Sequence, residues 1–174
     1  VLLGAYLLGS LPTALLVSRA VAGVDIREIG DGNMGARNVT RTLGWGAGIF
    51  VAAIDFSKGA TAVLIARAFD HSIFWQLTAG GCAVLGHDFP IWAHFRGGQG
   101  MAAILGVLSI FMPRETAWGL AAFGMSYLVM RNFDLCAGLG LGLLAALAWL
   151  NEQPPLLISS TVALFPVSYT HLTL

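Results

Sequence analysis

The sequence predicts an all-α fold, a polytopic membrane helix bundle of about seven transmembrane helices joined by glycine-rich cytoplasmic loops. Three observations carry this. Hydrophobic residues make up 57% of the 174 residues, with a mean hydropathy of +0.78. Charged residues make up 10%, against about 25% in a typical soluble domain. The charge-free stretches also lack the period-2 alternation of a membrane barrel strand, so helices are the remaining way to satisfy the backbone in lipid.

Those stretches run over residues 1–18, 42–54 with 59–66, 72–86, 97–113, 116–130, 135–151 and 153–167. Several are shorter than the ~20 residues that cross a hydrocarbon core of ~30 Å. Flanking side chains such as Arg114 and Arg131 supply length by snorkelling. The second span is interrupted by Asp55-Phe-Ser-Lys58-Gly59. Two readings of this segment stand side by side. Asp55 and Lys58, spaced i and i+3, pair on one helix face, or the segment is a short interfacial turn between two half-spans.

Basic residues set the orientation. With Val1 outside, Arg19, Arg27, Arg37, Arg41, Arg96 and Arg131 fall inside, and Arg67 and Arg114 fall outside. Six against two places the loops 21–41 and 87–96 in the cytoplasm. Residues 1–167 form a single integral membrane domain. The tail 168–174 departs in character from what precedes it and resembles translated adaptor sequence. Residues 1–18 lack the basic leading region and cleavage site of a signal peptide. The formal net charge of zero points away from nucleic acid. Cys82 and Cys136 lie in apolar stretches as buried thiols, and His87 and His94, seven apart with no nearby thiolate, make no metal site.

The two loops carry the polar chemistry. In the first, Gly30, Gly32 and Gly35 free backbone amides to converge on an anion. Asn33 and Asn38 add neutral donors and acceptors, and Arg37 and Arg41 offer planar forks suited to phosphate oxygens. In the second, Arg96-Gly97-Gly98-Gln99-Gly100 leads directly into an apolar span, again a glycine-rich approach to a helix N-terminus. An imidazole suits acid–base work near neutral pH, which makes His87 a candidate, although a histidine at the end of a span also serves as an interfacial cap. Trp92, His94 and Phe95 read as interfacial residues.

These residues resemble the bacterial acyl-phosphate:glycerol-3-phosphate acyltransferases of the PlsY type. The resemblance runs through Gly9-Ser10-Leu-Pro12-Thr-Ala14, Gly30-Asp-Gly32-Asn33-Met-Gly35-Ala36-Arg-Asn38, Asp55-Phe-Ser-Lys58-Gly59, and Gly86-His87-Asp-Phe89-Pro90 followed by Phe95-Arg96-Gly97-Gly98-Gln-Gly100. Four matches in order are specific where one would be weak. Asp31 stands where the family usually has serine, Arg37 where it has threonine, and Gln99 where it has lysine. Arg96 stands where lysine is common. A C-terminal family segment bearing His, Arg, Asn and Glu is expected beyond the last span, so the chain reads as a C-terminally truncated, divergent member.

The resemblance implies transfer of a fatty acyl group from acyl phosphate to the sn-1 hydroxyl of glycerol 3-phosphate, without a cofactor, at the bacterial inner membrane. His87, Asn33 and Arg41 are the expected catalytic residues. Gly32, Gly35, Arg37, Asn38, Lys58, Arg96, Gly97, Gly98 and Gly100 are the expected substrate contacts. Asp31 and Arg37 are expected to form a compensating ion pair. The competing expectations are an inactive family member with a structural or lipid-binding role, and an organic-anion transporter.

Overall fold

The structure, a computed structural model, describes residues 1–69 and 71–170, with side chains as far as Ala163. The 168–174 tail therefore lies outside the described side chains, and 171–174 outside the described residues. All regular structure among the described residues is helical. The chain forms two compact units, Val1–Val107 and a second from Leu108 onward.

In the first unit, the opening apolar stretch is a candidate span built of two helices. α1 (Leu2–Gly9) and α2 (Thr13–Ala22) are separated at Ser10-Leu11-Pro12. Pro12 has no N–H and its ring would collide with the carbonyl four residues earlier, so the helix stops and restarts with Pro12 as N-cap. α2 ends at Gly23 in the left-handed region (φ 69°). A short 3-10 turn (Ile26–Glu28) and the eight-residue α3 (Ala36–Leu43) build the first loop.

Helix α4 (Trp45–Ala68) is continuous over 24 residues. At 1.5 Å per residue it spans ~36 Å, enough for a membrane. The Asp55–Lys58 segment that the sequence left open is therefore intact helix, and the pairing reading holds. Gly48, Val51, Asp55, Lys58, Gly59, Ala62 and Ala66 form its buried stripe at helical spacing, while Trp45, Ile49, Phe50, Leu64 and Ile65 are exposed. α5 (Ile73–Asp88) and α6 (Met101–Phe111) as far as Val107 complete the unit. Small residues bring these helices close, as in lipid-embedded bundles. A Cβ on Gly9 or Gly86 would strike the backbone of α5 or α1, and one on Gly59 or Gly106 the backbone of α6 or α4.

The second unit pairs α7 (Pro113–Met130) with α8 (Phe133–Leu150), and α9 (Pro155–Thr170) packs on α8. Gly119 and Gly140 face each other; a Cβ on Gly140 would lie 2.6 Å from the Gly119 carbonyl oxygen. The Glu115 carboxylate accepts hydrogen bonds from Asn151 (2.8 Å) and Gln153 (3.0 Å), tying the start of α7 to the α8–α9 turn. Among the described residues, three segments are long and apolar enough to cross a membrane by length and composition: Leu2–Ala22, Trp45–Ala68 and Phe133–Leu150.

Candidate functional site

Asn38 organises the first loop. Its side chain is fully buried, and its Nδ2 donates toward the carbonyls of Ile26 (3.2 Å), Ile29 (3.0 Å) and Asn33 (3.1 Å). Its Oδ1 accepts from the Asp31 N–H at 3.2 Å. The amide of Asn38, expected as a substrate contact, is thus hydrogen-bonded to the loop's own backbone. Gly30 (φ 65°) and Gly32 (φ 73°) hold the left-handed conformation the loop needs. Gly35 is extended (φ −99°) and serves as N-cap of α3.

Helix α3 carries Arg37 half-buried and Arg41 exposed. Arg41 Nη1 lies 3.3 Å from Asp31 Oδ2, and Asp31 Oδ1 accepts from the Asn33 N–H at 3.1 Å. Arg41 is thus a partner of Asp31, four residues beyond the Arg37 that the sequence suggested. One helical turn along α3 separates those two arginines. The side-chain oxygen of Asn33 is buried without a donor.

A second arginine joins the loops. Arg27 clasps Asp25 through Nε (2.9 Å) and Nη2 (2.6 Å), and Arg19 adds a contact at 3.1 Å. The Arg27 hydrogen bond is the main reason the Asp25 carboxyl titrates well below the usual carboxylate range, burial opposing it. Arg27 Nη1 then donates to the Ala93 carbonyl of the second loop at 3.3 Å. Beneath this link lies an apolar floor of Leu15, Ile26, Met34, Val39, Val51 and Ala93. The sequence reading passed over Arg27, whose signal was the Asp25-Ile-Arg27 spacing.

The second loop folds back over the end of α5. Gly98 N–H donates to the His87 carbonyl at 3.2 Å. A Cβ on Gly97 would strike that carbonyl, and one on Gly98 would strike His87 Nε2. Gly100 has φ 67° and faces the Asp88 carboxylate, which is buried with no hydrogen-bond partner. Arg96 is exposed.

His87 sits in the last turn of α5, 8% exposed. Its Nδ1 lies 3.6 Å from Asp55 Oδ1, and its Nε2 edge faces Gly98. Lys58 Nζ donates to the same Asp55 oxygen (2.7 Å) and to the Leu11 carbonyl (2.5 Å) at the α1–α2 break. Lys58, expected as a substrate contact, lies buried inside the bundle as the counter-ion of Asp55. Asp55, which the sequence left outside the site, is the residue that links Lys58 to His87. Its i, i+3 spacing from Lys58 was visible, but the approach of α5 was not. The structure thus groups Gly32, Asn33, Asn38 and Arg41 in one loop, and His87, Gly97, Gly98 and Gly100 in the other, with the two loops joined at Arg27 and Ala93.

A glycerol-3-phosphate acyltransferase family model matches residues 1–173. A glycerol-3-phosphate acyltransferase of Thermus thermophilus is 41% identical over 175 residues, covering 98% of this chain and 85% of the relative. One from Geotalea daltonii is 41% identical over 161 residues, covering 92% and 82%. The crystal structure of PlsY, an integral membrane glycerol 3-phosphate acyltransferase, in its glycerol 3-phosphate form superposes with a TM-score of 0.88 at 28% identity, over 97% of this chain and 84% of that one. Its lysophosphatidic acid form superposes with a TM-score of 0.86. With its helices, its two glycine loops and nearly its whole length matched, this chain belongs to the glycerol-3-phosphate acyltransferase family.

Proposed function

We propose that this protein transfers a fatty acyl group from acyl phosphate to the sn-1 hydroxyl of glycerol 3-phosphate, releasing lysophosphatidic acid and inorganic phosphate. The observation that carries the mechanism is the setting of His87. Asp55 faces its Nδ1 and favours a proton there, which leaves Nε2 as the acceptor facing the second loop. In the transfer, the glycerol oxygen attacks the acyl carbon, its proton passes to Nε2, and the carbon–oxygen bond to phosphate breaks. No serine or cysteine stands activated beside His87 in the contacts described above, so transfer is direct, without an acyl-enzyme.

Arg41 and Arg96, both exposed at the loops, hold the phosphates. Asn33 and the amides of the glycine loops stabilise charge developing on the attacked carbonyl. Gly32, Gly97, Gly98 and Gly100 let backbone approach the substrates. Arg37 supports the anion from the first turn of α3. Apolar helix faces next to the loops take the acyl chain from the bilayer.

Seven passes follow from counting α1 with α2 as one and adding α4 through α9, with both loops in the cytoplasm of the bacterial inner membrane. The test is to supply the protein in vesicles with acyl phosphate and measure phosphate release. Release that requires glycerol 3-phosphate and matches lysophosphatidic acid one to one is expected. Release without glycerol 3-phosphate, or none with it, overturns the reading, and the latter identifies an inactive member.

A further inference from the structure

The Asp31 carboxylate stands where an incoming anion would stand. One oxygen takes the Asn33 N–H (3.1 Å) and the other takes Arg41 Nη1 (3.3 Å). Its backbone is fixed as well, because the Asp31 N–H is held by the buried Asn38 amide. Gly30 and Gly32 bracket it in left-handed conformations that present the carboxylate to these donors. One backbone amide and one guanidinium are donors of the kind that bind a phosphate oxygen. Asp31 fills them with a charge of its own.

We propose that Asp31 is a built-in competitor for the substrate phosphate, occupying Arg41 until glycerol 3-phosphate displaces it. This inference rests on the reading of Arg41 as a phosphate contact. Both side chains are well exposed, 55% for Arg41 and 39% for Asp31, so the pair is weak and exchangeable. A phosphate dianion carries more charge than the carboxylate and displaces it. A neutral polyol brings no charge to Arg41 and does not. Asp31 is therefore a specificity-determining residue: it raises the glycerol 3-phosphate concentration needed for half-saturation and keeps uncharged glycerol from holding Arg41. After transfer, its return to Arg41 favours departure of the phosphorylated product.

The experiment measures KM for glycerol 3-phosphate in the wild type, Asp31→Asn, Asp31→Ser, Arg41→Ala and the double change Asp31→Asn/Arg41→Ala, all in vesicles with acyl phosphate saturating. Asp31→Asn keeps an oxygen for the Asn33 N–H but removes the charge, so it separates competition from loop support. The expected result is a KM about fivefold lower in Asp31→Asn and Asp31→Ser, the size of one exposed ion pair, with Arg41→Ala raising KM. In the Arg41→Ala background, Asp31→Asn is expected to change KM far less than in the wild type, since the guanidinium that carboxylate and phosphate compete for is gone. If Arg41→Ala raises KM but Asp31→Asn leaves the wild-type KM unchanged or raises it, the competition is overturned while the phosphate role of Arg41 stands. If Arg41→Ala leaves KM unchanged, the phosphate role of Arg41 fails, and the competition with it.

Discussion

Lys58 Nζ lies 2.5 Å from the carbonyl oxygen of Leu11, 47 residues earlier in the chain. The contact joins two irregularities. Pro12 breaks the first span and leaves the Leu11 carbonyl outside a helical ladder, and Lys58 brings a charge into α4 that needs acceptors. Asp55 supplies the second acceptor at 2.7 Å. A broken helix and a buried charge thus satisfy each other, and the same Asp55 oxygen lies 3.6 Å from His87 Nδ1.

Removing one partner of this buried pair leaves the other uncompensated. Lys58→Met is expected to destabilise the protein by about 3–5 kcal/mol, read as a lower thermal midpoint in detergent. Asp55→Leu with Lys58→Met removes both charges and is expected to regain most of that midpoint. Activity is expected to stay low in the double variant, because His87 has lost the carboxylate that sets its tautomer. Full activity there would take Asp55 out of the mechanism.

Gly98→Ala tests the facing of His87. The added Cβ would collide with Nε2, so kcat is expected to fall by at least tenfold, a part of the roughly 10²–10⁴-fold that a positioned general base contributes, with the thermal midpoint little changed. Gly81→Ala is the control: nothing lies within 4 Å of its Cβ position. Equal kinetics for the two would place the imidazole elsewhere during turnover.

Arg41→Lys keeps the charge and loses the planar fork, so it is expected to raise KM for glycerol 3-phosphate by more than tenfold, about 1.4 kcal/mol. The same change at exposed Arg114, in the first turn of α7, is expected to be nearly silent. Steady-state kinetics on both variants, with matching results, would remove Arg41 from the site.

Asp25 carries a pH signature. Its folded pKa lies below the ordinary 3.8 because Arg27 hydrogen-bonds its carboxylate. The stabilisation is therefore complete above that ordinary value and lost as pH falls toward the folded pKa. Asp25→Asn is expected to lower the thermal midpoint near neutral pH, by a margin that narrows below about pH 4. A margin independent of pH would mean the clasp acts through packing alone.

Orientation is open to thiol labelling in a background lacking Cys82 and Cys136. Cysteines at Glu28 and Trp92, both exposed, are expected to resist an impermeant reagent added to intact cells, while one at exposed Ser72 is labelled. These positions are better than Gly30 or Gly97, where any side chain would collide with neighbours. Labelling of Glu28 and Trp92 from outside would reverse the topology.

The sequence by itself determined the class of fold, the two polar loops and the family. Each of these is written in local signals: low charge, long apolar runs, and glycine-rich segments bearing His87, Arg41 and Arg96. It also brought Asp55 and Lys58 onto one helix face, since i, i+3 spacing is a property of the helix alone. Only the tertiary structure decided what those charges meet. That α5 lays His87 beside Asp55, that Lys58 reaches back to Leu11, and that Arg27 crosses to Ala93 depend on close helix approach over residues such as Gly9, Gly59 and Gly86. The same holds for Asp31. Arg41 reaches its carboxylate where Asn38 gathers the loop into one closure, and the conformation of a glycine-rich loop is set by its buried anchor rather than by the spacing of its charges.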